Sequence, residues 1–233
     1  MTKQVIILFG APGAGKGTQA ELLSDKLGLV YFETSRILEK EFKKVNESSE
    51  DRYVEVEGEK FDVLAGKKQW ESGILVDPPY VTHLVIKEIT DLCNDGRSLV
   101  LAGSPRTVYE VERVMPALDK LYGRENIKIV LIEISPEETI FRNSHRKICE
   151  LMRHSILFNK ETENLAICPL DGSKLVKRKD LDDPETIKVR IKEYTDRTLP
   201  MLEYFEKNNF VVEKIKGEQS VADVFGDILK AIG

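Results

Sequence analysis

Five short apolar runs punctuate the chain: QVIILF (4–9), LVYFE (29–33), SLVLAG (98–103), IKIVLIEI (127–134) and FVVEKI (210–215). Each is nearly continuous in Val, Ile, Leu and Phe rather than alternating with polar residues, the pattern of a strand covered on both faces. Longer helical patterns at 15–27, 81–96 and 183–208 lie between them, the second stopped by Gly96 and the third bent or divided at Pro200. Strand and helix alternating from end to end predict βαβ units, hence an α/β fold with a five-stranded parallel sheet between two helical layers.

Two stretches do not read as simple crossovers. Residues 34–76 read as a mostly helical insertion whose acidic run NESSEDRYVEVEGE (46–59) is expected to be a solvated arm. Residues 143–180 hold two cysteines and many cations with little helical periodicity. Neither is a repeat or a low-complexity tract. The expected organisation is a core of 1–33, 77–141 and 181–233, an arm of 34–76 and a lid of 142–180.

Composition narrows the function classes. With 233 residues, 41% of them hydrophobic, the chain can bury a core without disulfides. A net charge of -5 argues against a nonspecific nucleic-acid or membrane-surface binder, so an anionic ligand must meet a local basic site. The run VIILF (5–9) is too short for a signal peptide or a membrane span, and three cysteines make no paired framework. The expectation is a cytoplasmic protein with no nucleic-acid or membrane partner.

A basic site is written into GAPGAGKGT (10–18), which follows a buried strand and opens a helix. Backbone N–H groups of Gly13, Ala14, Gly15 and Gly17 and the positive end of the helix dipole converge there, and Lys16 reaches the outer phosphates of a nucleotide. The general phosphate-loop pattern has Ser or Thr directly after the lysine to hold magnesium; here Gly17 takes that place and Thr18 follows.

GAPGAGKGTQA in this setting resembles the nucleoside monophosphate kinases, and further motifs narrow the resemblance to the adenylate kinase family. LAGSPRT (101–107) and GILVD (73–77) are similar to segments lining that family's acceptor site. RNSHR (142–146), KRKDLDDPETIKVR (177–190) and EYTDRTLPMLEYF (193–205) resemble its lid entrance, lid exit and following helix. The likeness implies a P-loop three-layer α/β/α core with an acceptor-binding arm and a closing lid. It also implies magnesium-dependent, reversible transfer of the γ-phosphoryl of ATP to AMP, giving two ADP, by a monomer.

By the same resemblance, Lys16, Arg106, Arg146, Arg178 and Arg190 are the catalytic cations. Arg142 and Gln219 join the loop in binding ATP, and Thr34, Arg36, Val76, Gly103, Arg106, Glu110, Arg178 and Arg190 bind AMP. Phosphoryl transfer needs charge neutralisation and in-line positioning more than a nucleophile, and guanidinium forks bind two phosphate oxygens at once.

Three positions depart from the family pattern. In TSRILE (34–39), Glu39 occupies the place of the arginine that holds the AMP phosphate; Arg36, three residues earlier on nearly the same helix face, is the expected replacement, with Lys40 behind it. Glu110 stands where a glutamine reads the adenine edge, and an ionised carboxylate only accepts hydrogen bonds. Ala102 replaces an aspartate that orients magnesium's waters, which predicts weaker metal positioning. These departures keep two alternatives open: a kinase for UMP, CMP or GMP, and a nucleotide-binding homologue with impaired catalysis.

Lids of the resembled family carry either a zinc knuckle or a hydrogen-bonded substitute. Residues 146–175 offer Cys149, His154, Cys168 and Asp171, a tetrahedral set for a structural Zn2+ in which His154 fills in for Met152, a poor ligand at the usual second-cysteine place. The competing reading is a metal-free lid in which these side chains pack or hydrogen-bond. Cys93 reads as a small buried hydrophobe, His83 carries no spacing signal, and His145 occupies a hinge glycine's place.

Overall fold

A computed structural model describes residues 3–46, 48–49, 52–177 and 182–233. In chain order come β1 (Val5–Gly10), α1 (Lys16–Leu27), β2 (Val30–Phe32) and α2 (Thr34–Lys44). A hairpin of β3 (Tyr53–Val56) and β4 (Glu59–Asp62) leads to α3 (Val63–Glu71), then α4 (Pro78–Asn94), β5 (Leu99–Ala102) and α5 (Val108–Tyr122). Next are β6 (Ile127–Glu133), α6 (Pro136–His145), β7 (Lys147–Cys149), β8 (Ser155–Ile156) and β9 (Leu175–Val176). The chain finishes with α7 (Pro184–Glu193), α8 (Met201–Lys207), β10 (Val212–Lys216) and α9 (Val221–Ile232).

All five expected strands form, and they make one parallel sheet in the order β10-β6-β1-β5-β2. Central β1 is buried along its whole length and pairs Val5 with both Leu99 and Ile127. Odd-numbered β1 residues Val5, Ile7 and Phe9 face a core built with α4, α5 and α8; Ile6 and Leu8 face a second one built with α1 and α9. Two dry faces explain why the strands lack alternation. The chain leaves β1 with neighbours on either side, so the β1–α1 loop opens at the carboxyl ends of the strands where the order reverses, the position that binds ligands in such sheets.

The insertions differ in part from expectation. The arm is not mostly helix: Tyr53–Val56 pairs antiparallel with Glu59–Asp62 across Glu57 and Gly58, whose φ angles of 53° and 85° fit a two-residue primed turn. Residues 47, 50 and 51 of the acidic run lie outside the described residues. The lid holds a three-stranded sheet in the order β8-β7-β9. The pattern at 183–208 divides into α7, a π-helical turn at Tyr194–Thr198 and α8, with Pro200 at the boundary. Among the described residues, no helix is long and apolar enough to cross a membrane.

Candidate active site

A cavity of 230 Å³ opens at the carboxyl end of β1. Its floor is the phosphate loop, with Gly13, Gly15, Lys16, Gly17 and Thr18 on the wall. Gly15 is the N-cap of α1 at φ 89° and no side chain caps that end, so the first-turn N–H groups face the loop. Ala14 is buried beneath. Lys16 donates from Nζ to the Gly10 and Ala11 carbonyls at 2.7 and 2.9 Å. Burial first, and then the charges of Arg106, Arg190 and Arg146, hold its pKa well below the ordinary 10.5. Gly17 leaves room for the Tyr31 hydroxyl, which would lie 3.2 Å from a Cβ there.

The arginines arrive from three elements. Arg106 follows β5 in a loop closed by Glu110, which accepts from the Arg106 N–H at 3.1 Å, the Ser104 hydroxyl at 2.8 Å and the Thr107 hydroxyl at 3.1 Å. The Thr198 hydroxyl on the π-helical turn donates to the Arg106 carbonyl at 2.7 Å. Arg146 ends α6, and Arg190 projects from α7 with the buried Asp182 carboxylate 3.7 Å away. Arg106, Arg146 and Arg190 all line the cavity with Lys16. Arg178 lies outside the described residues.

The arm supplies the opposite wall, where Thr34, Arg36, Trp70 and Val76 line the cavity beside Gly103 and Glu110. The Thr34 hydroxyl is buried there and has no partner among the described residues, a group suited to a ligand's polar edge. Arg36 donates to Glu33 at 2.7 Å and leans on the Tyr31 ring, so the expected replacement cation is already engaged. Glu39 is paired too: Arg153 of the lid donates from Nη1 to both its oxygens at 2.9 and 2.8 Å. Arg142 reaches the loop from outside the cavity, donating to the Gly217 carbonyl at 2.9 Å and to Gly13 at 3.4 Å. Gln219 is exposed two residues beyond Gly217 and donates to Lys216 and Asp227.

In the lid, the four ligand atoms of Cys149, His154, Cys168 and Asp171 lie within 4.8 Å of one another. The His154 Nδ1 is 3.5 and 3.6 Å from the two thiol sulfurs and 3.2 Å from Asp171 Oδ2. Bond lengths of about 2.0–2.3 Å imply tetrahedral edges of about 3.3–3.8 Å, so the His154 spacings match a zinc ion, and the widest pair would have to close by up to about 1 Å from the 4.8 Å limit. The donors on Asp171, the Cys149 thiol first and then Ser173, hold its carboxyl well below the usual range, while burial pushes the Cys168 thiol up. Exposed His145 packs in a triangle with Phe141 and Phe158, whose ring centroids are 4.6 and 4.4 Å away.

A family model described as adenylate kinase matches residues 8–210. The adenylate kinase of Clostridium acetobutylicum is 35% identical over 98% of both chains, and that of Caldicellulosiruptor saccharolyticus is 33% identical over 98% of both. The adenylate kinase of Mycoplasma capricolum is 31% identical over 96% of both. The chain belongs to the adenylate kinase family.

Within an adenylate kinase fold, the structure brings together most residues singled out from sequence. Lys16, Thr18, Thr34, Arg36, Val76, Gly103, Arg106, Glu110, Arg146 and Arg190 share one cleft. Sequence reading missed Arg153, Tyr31, Glu21 and Glu33, which line it as well. Glu21 lies three residues beyond Thr18 on α1, a spacing that names it as a wall residue; Arg153 carries no such mark. Cys93 is buried as expected but not merely apolar, since Lys3 donates to its sulfur at 2.9 Å.

Proposed function

We propose that the protein is an enzyme, a nucleoside monophosphate phosphotransferase that moves the γ-phosphoryl of Mg-ATP reversibly to AMP. The observation that carries this reading is the meeting of Lys16 with Arg106, Arg146 and Arg190 in one cleft at the phosphate loop. Four cations from separate elements, the lysine's pKa held down first by burial and then by the charges of the three arginines, fit a ligand with several negative charges and little else.

The loop amides of Gly13, Ala14, Gly15 and Gly17 hold the donor's phosphates, Lys16 meets the outer ones, and Arg142 and Gln219 lie toward the donor base. Magnesium, held with ATP by the Thr18 hydroxyl and waters, would neutralise charge on the β- and γ-phosphates. On the acceptor side Thr34 and Val76 receive the base with Gly103 and Glu110, and Arg36, Arg106 and Arg190 face the α-phosphate. An AMP phosphate oxygen attacks the γ-phosphorus as the bond to the bridging oxygen breaks, and the new charge on that oxygen remains within the arginines' reach. Arg178 is assigned here by resemblance alone. Cys149, His154, Cys168 and Asp171 would hold Zn2+ as a structural ion that fixes the lid turn and takes no part in the chemistry. Arm and lid together exclude water, the competing acceptor.

The test is a coupled assay with ATP against AMP, GMP, CMP and UMP. AMP should be preferred by at least about tenfold in kcat/KM, the discrimination expected where a buried polar group reads a base edge. Preference for another monophosphate would move the assignment to that acceptor, and no turnover with any of them would end it.

A further inference from the structure

Glu39, on α2, stands by resemblance where the family has the arginine that holds the acceptor's phosphate, and a dianion beside its carboxylate would be repelled. The structure answers this charge from across the cleft. Arg153 donates to both oxygens of Glu39, although 114 residues separate them in sequence. Arg153 also lines the cavity with Thr34, Arg36 and Arg106. Arg36, the replacement cation expected from sequence, is held by Glu33 at 2.7 Å and its side chain is 59% exposed, and Lys40 beside Glu39 is exposed as well.

The backbone at Arg153 points the same way. It adopts φ 62°, the left-handed conformation that residues with a Cβ rarely take. Its N–H donates to the Cys149 carbonyl at 3.1 Å, and the next N–H, of His154, donates to the Cys149 sulfur at 3.1 Å. The turn that gathers the lid's cysteine and histidine thus carries Arg153 at its tip. A long cation at a position that favours glycine is a local conflict of the kind found where side-chain chemistry is wanted.

We propose that Arg153 is an acceptor-site residue supplied by the lid: it contacts the phosphate of the nucleoside monophosphate, and Glu39 positions it there. One nitrogen of the guanidinium serves Glu39, and the fork has further N–H groups for phosphate oxygens. The acceptor site is then complete only when lid and arm meet, so the phosphate-binding charge and the exclusion of water arrive in the same movement. This rests on the reading of the cleft as a monophosphate site.

The test uses Arg153→Gly, which removes the cation while placing the residue best suited to φ 62° at that turn, so the lid should fold at least as well. AMP is titrated by calorimetry onto the full chain saturated with the imido analogue of ATP, and turnover of the wild type with ATP and AMP is measured on the same preparation. The expected result is AMP binding weakened by about tenfold or more, with affinity for the ATP analogue within about twofold of wild type. Adding Glu39→Arg to Arg153→Gly moves the cation to the arm and should restore AMP affinity to within about threefold. AMP affinity unchanged in Arg153→Gly, a parallel loss for the ATP analogue, or no recovery in the double variant overturns the proposal. A wild type that turns over normally while Arg153→Gly binds AMP unchanged fails only this proposal; a wild type without turnover fails the functional reading itself.

Discussion

Lys16 sits on two backbone carbonyls with three arginines near, a cluster of positive charge that phosphates would answer. Its pKa lies below the ordinary 10.5, so between those two values the folded protein binds fewer protons than the unfolded chain. That contribution therefore rises with pH across the window and is lost as pH falls through it. Lys16→Met should accordingly be more stable than wild type near neutral pH, by on the order of 1 kcal/mol, with the gap closing as pH approaches the unfolded lysine's value. Denaturant melts of both proteins over a pH series measure this, and transfer activity should fall by about a thousandfold in the same variant. Ala102 is the second residue with a direct test. Ala102→Asp adds a carboxylate to the cavity wall and should lower the magnesium concentration for half-maximal rate by several-fold, roughly two to ten; an unchanged magnesium curve would show that Glu21, Glu33 or the phosphates already do this work.

At this scale the sequence was readable wherever the chemistry is local. The loop's glycines, Lys16 and Thr18 act within nine consecutive residues, and their geometry follows from one strand-to-helix turn. Glu110 shows the limit. Its position was legible, but not that Ser104, Arg106 and Thr107 would surround its carboxylate, because the fold of that loop decides it. Against those donors, burial still raises its pKa.

Among the elements, the lid sheet is too small to hold a core, and among the described residues from 146 to 177 Cys149 and Cys168 are the buried ones, both members of the candidate metal-ligand set. Removing zinc from protein prepared without chelator, or Cys149→Ser, should lower the first melting transition by about 5–10 °C and leave the parallel core's transition in place. Calorimetry together with metal analysis measures both, and a stoichiometric metal content of zero would favour the hydrogen-bonded lid instead. At the arm's far end Gly73, at φ 82°, lies against α7: a Cβ there would come within 2.7 Å of Thr186 and 3.1 Å of Arg190. Gly73→Ala should push Arg190 aside and cut kcat by about tenfold, with little change in donor affinity. The hairpin β3–β4 was less legible. Its alternation is brief and its turn uses Glu57 in a left-handed conformation, where a sequence reading looks for Asn or Asp before the glycine.

For the whole molecule, the alternating pattern was enough for the sheet, its parallel sense and the carboxyl-end cleft, because burial on both faces leaves its mark in every strand. What it could not carry was the meeting of the two insertions. The contact of Arg153 with Glu39 joins segments over a hundred residues apart and depends on how a small lid sheet lies over an arm, a relation with no periodicity to betray it. The central event in the cleft is the passage of a phosphoryl group from one nucleotide to another. Incubating the protein with magnesium, AMP and ATP labelled at the γ-phosphate follows that group directly. The label should appear in the β-phosphate of ADP. Label that stays in ATP, or is released as inorganic phosphate, would contradict the account.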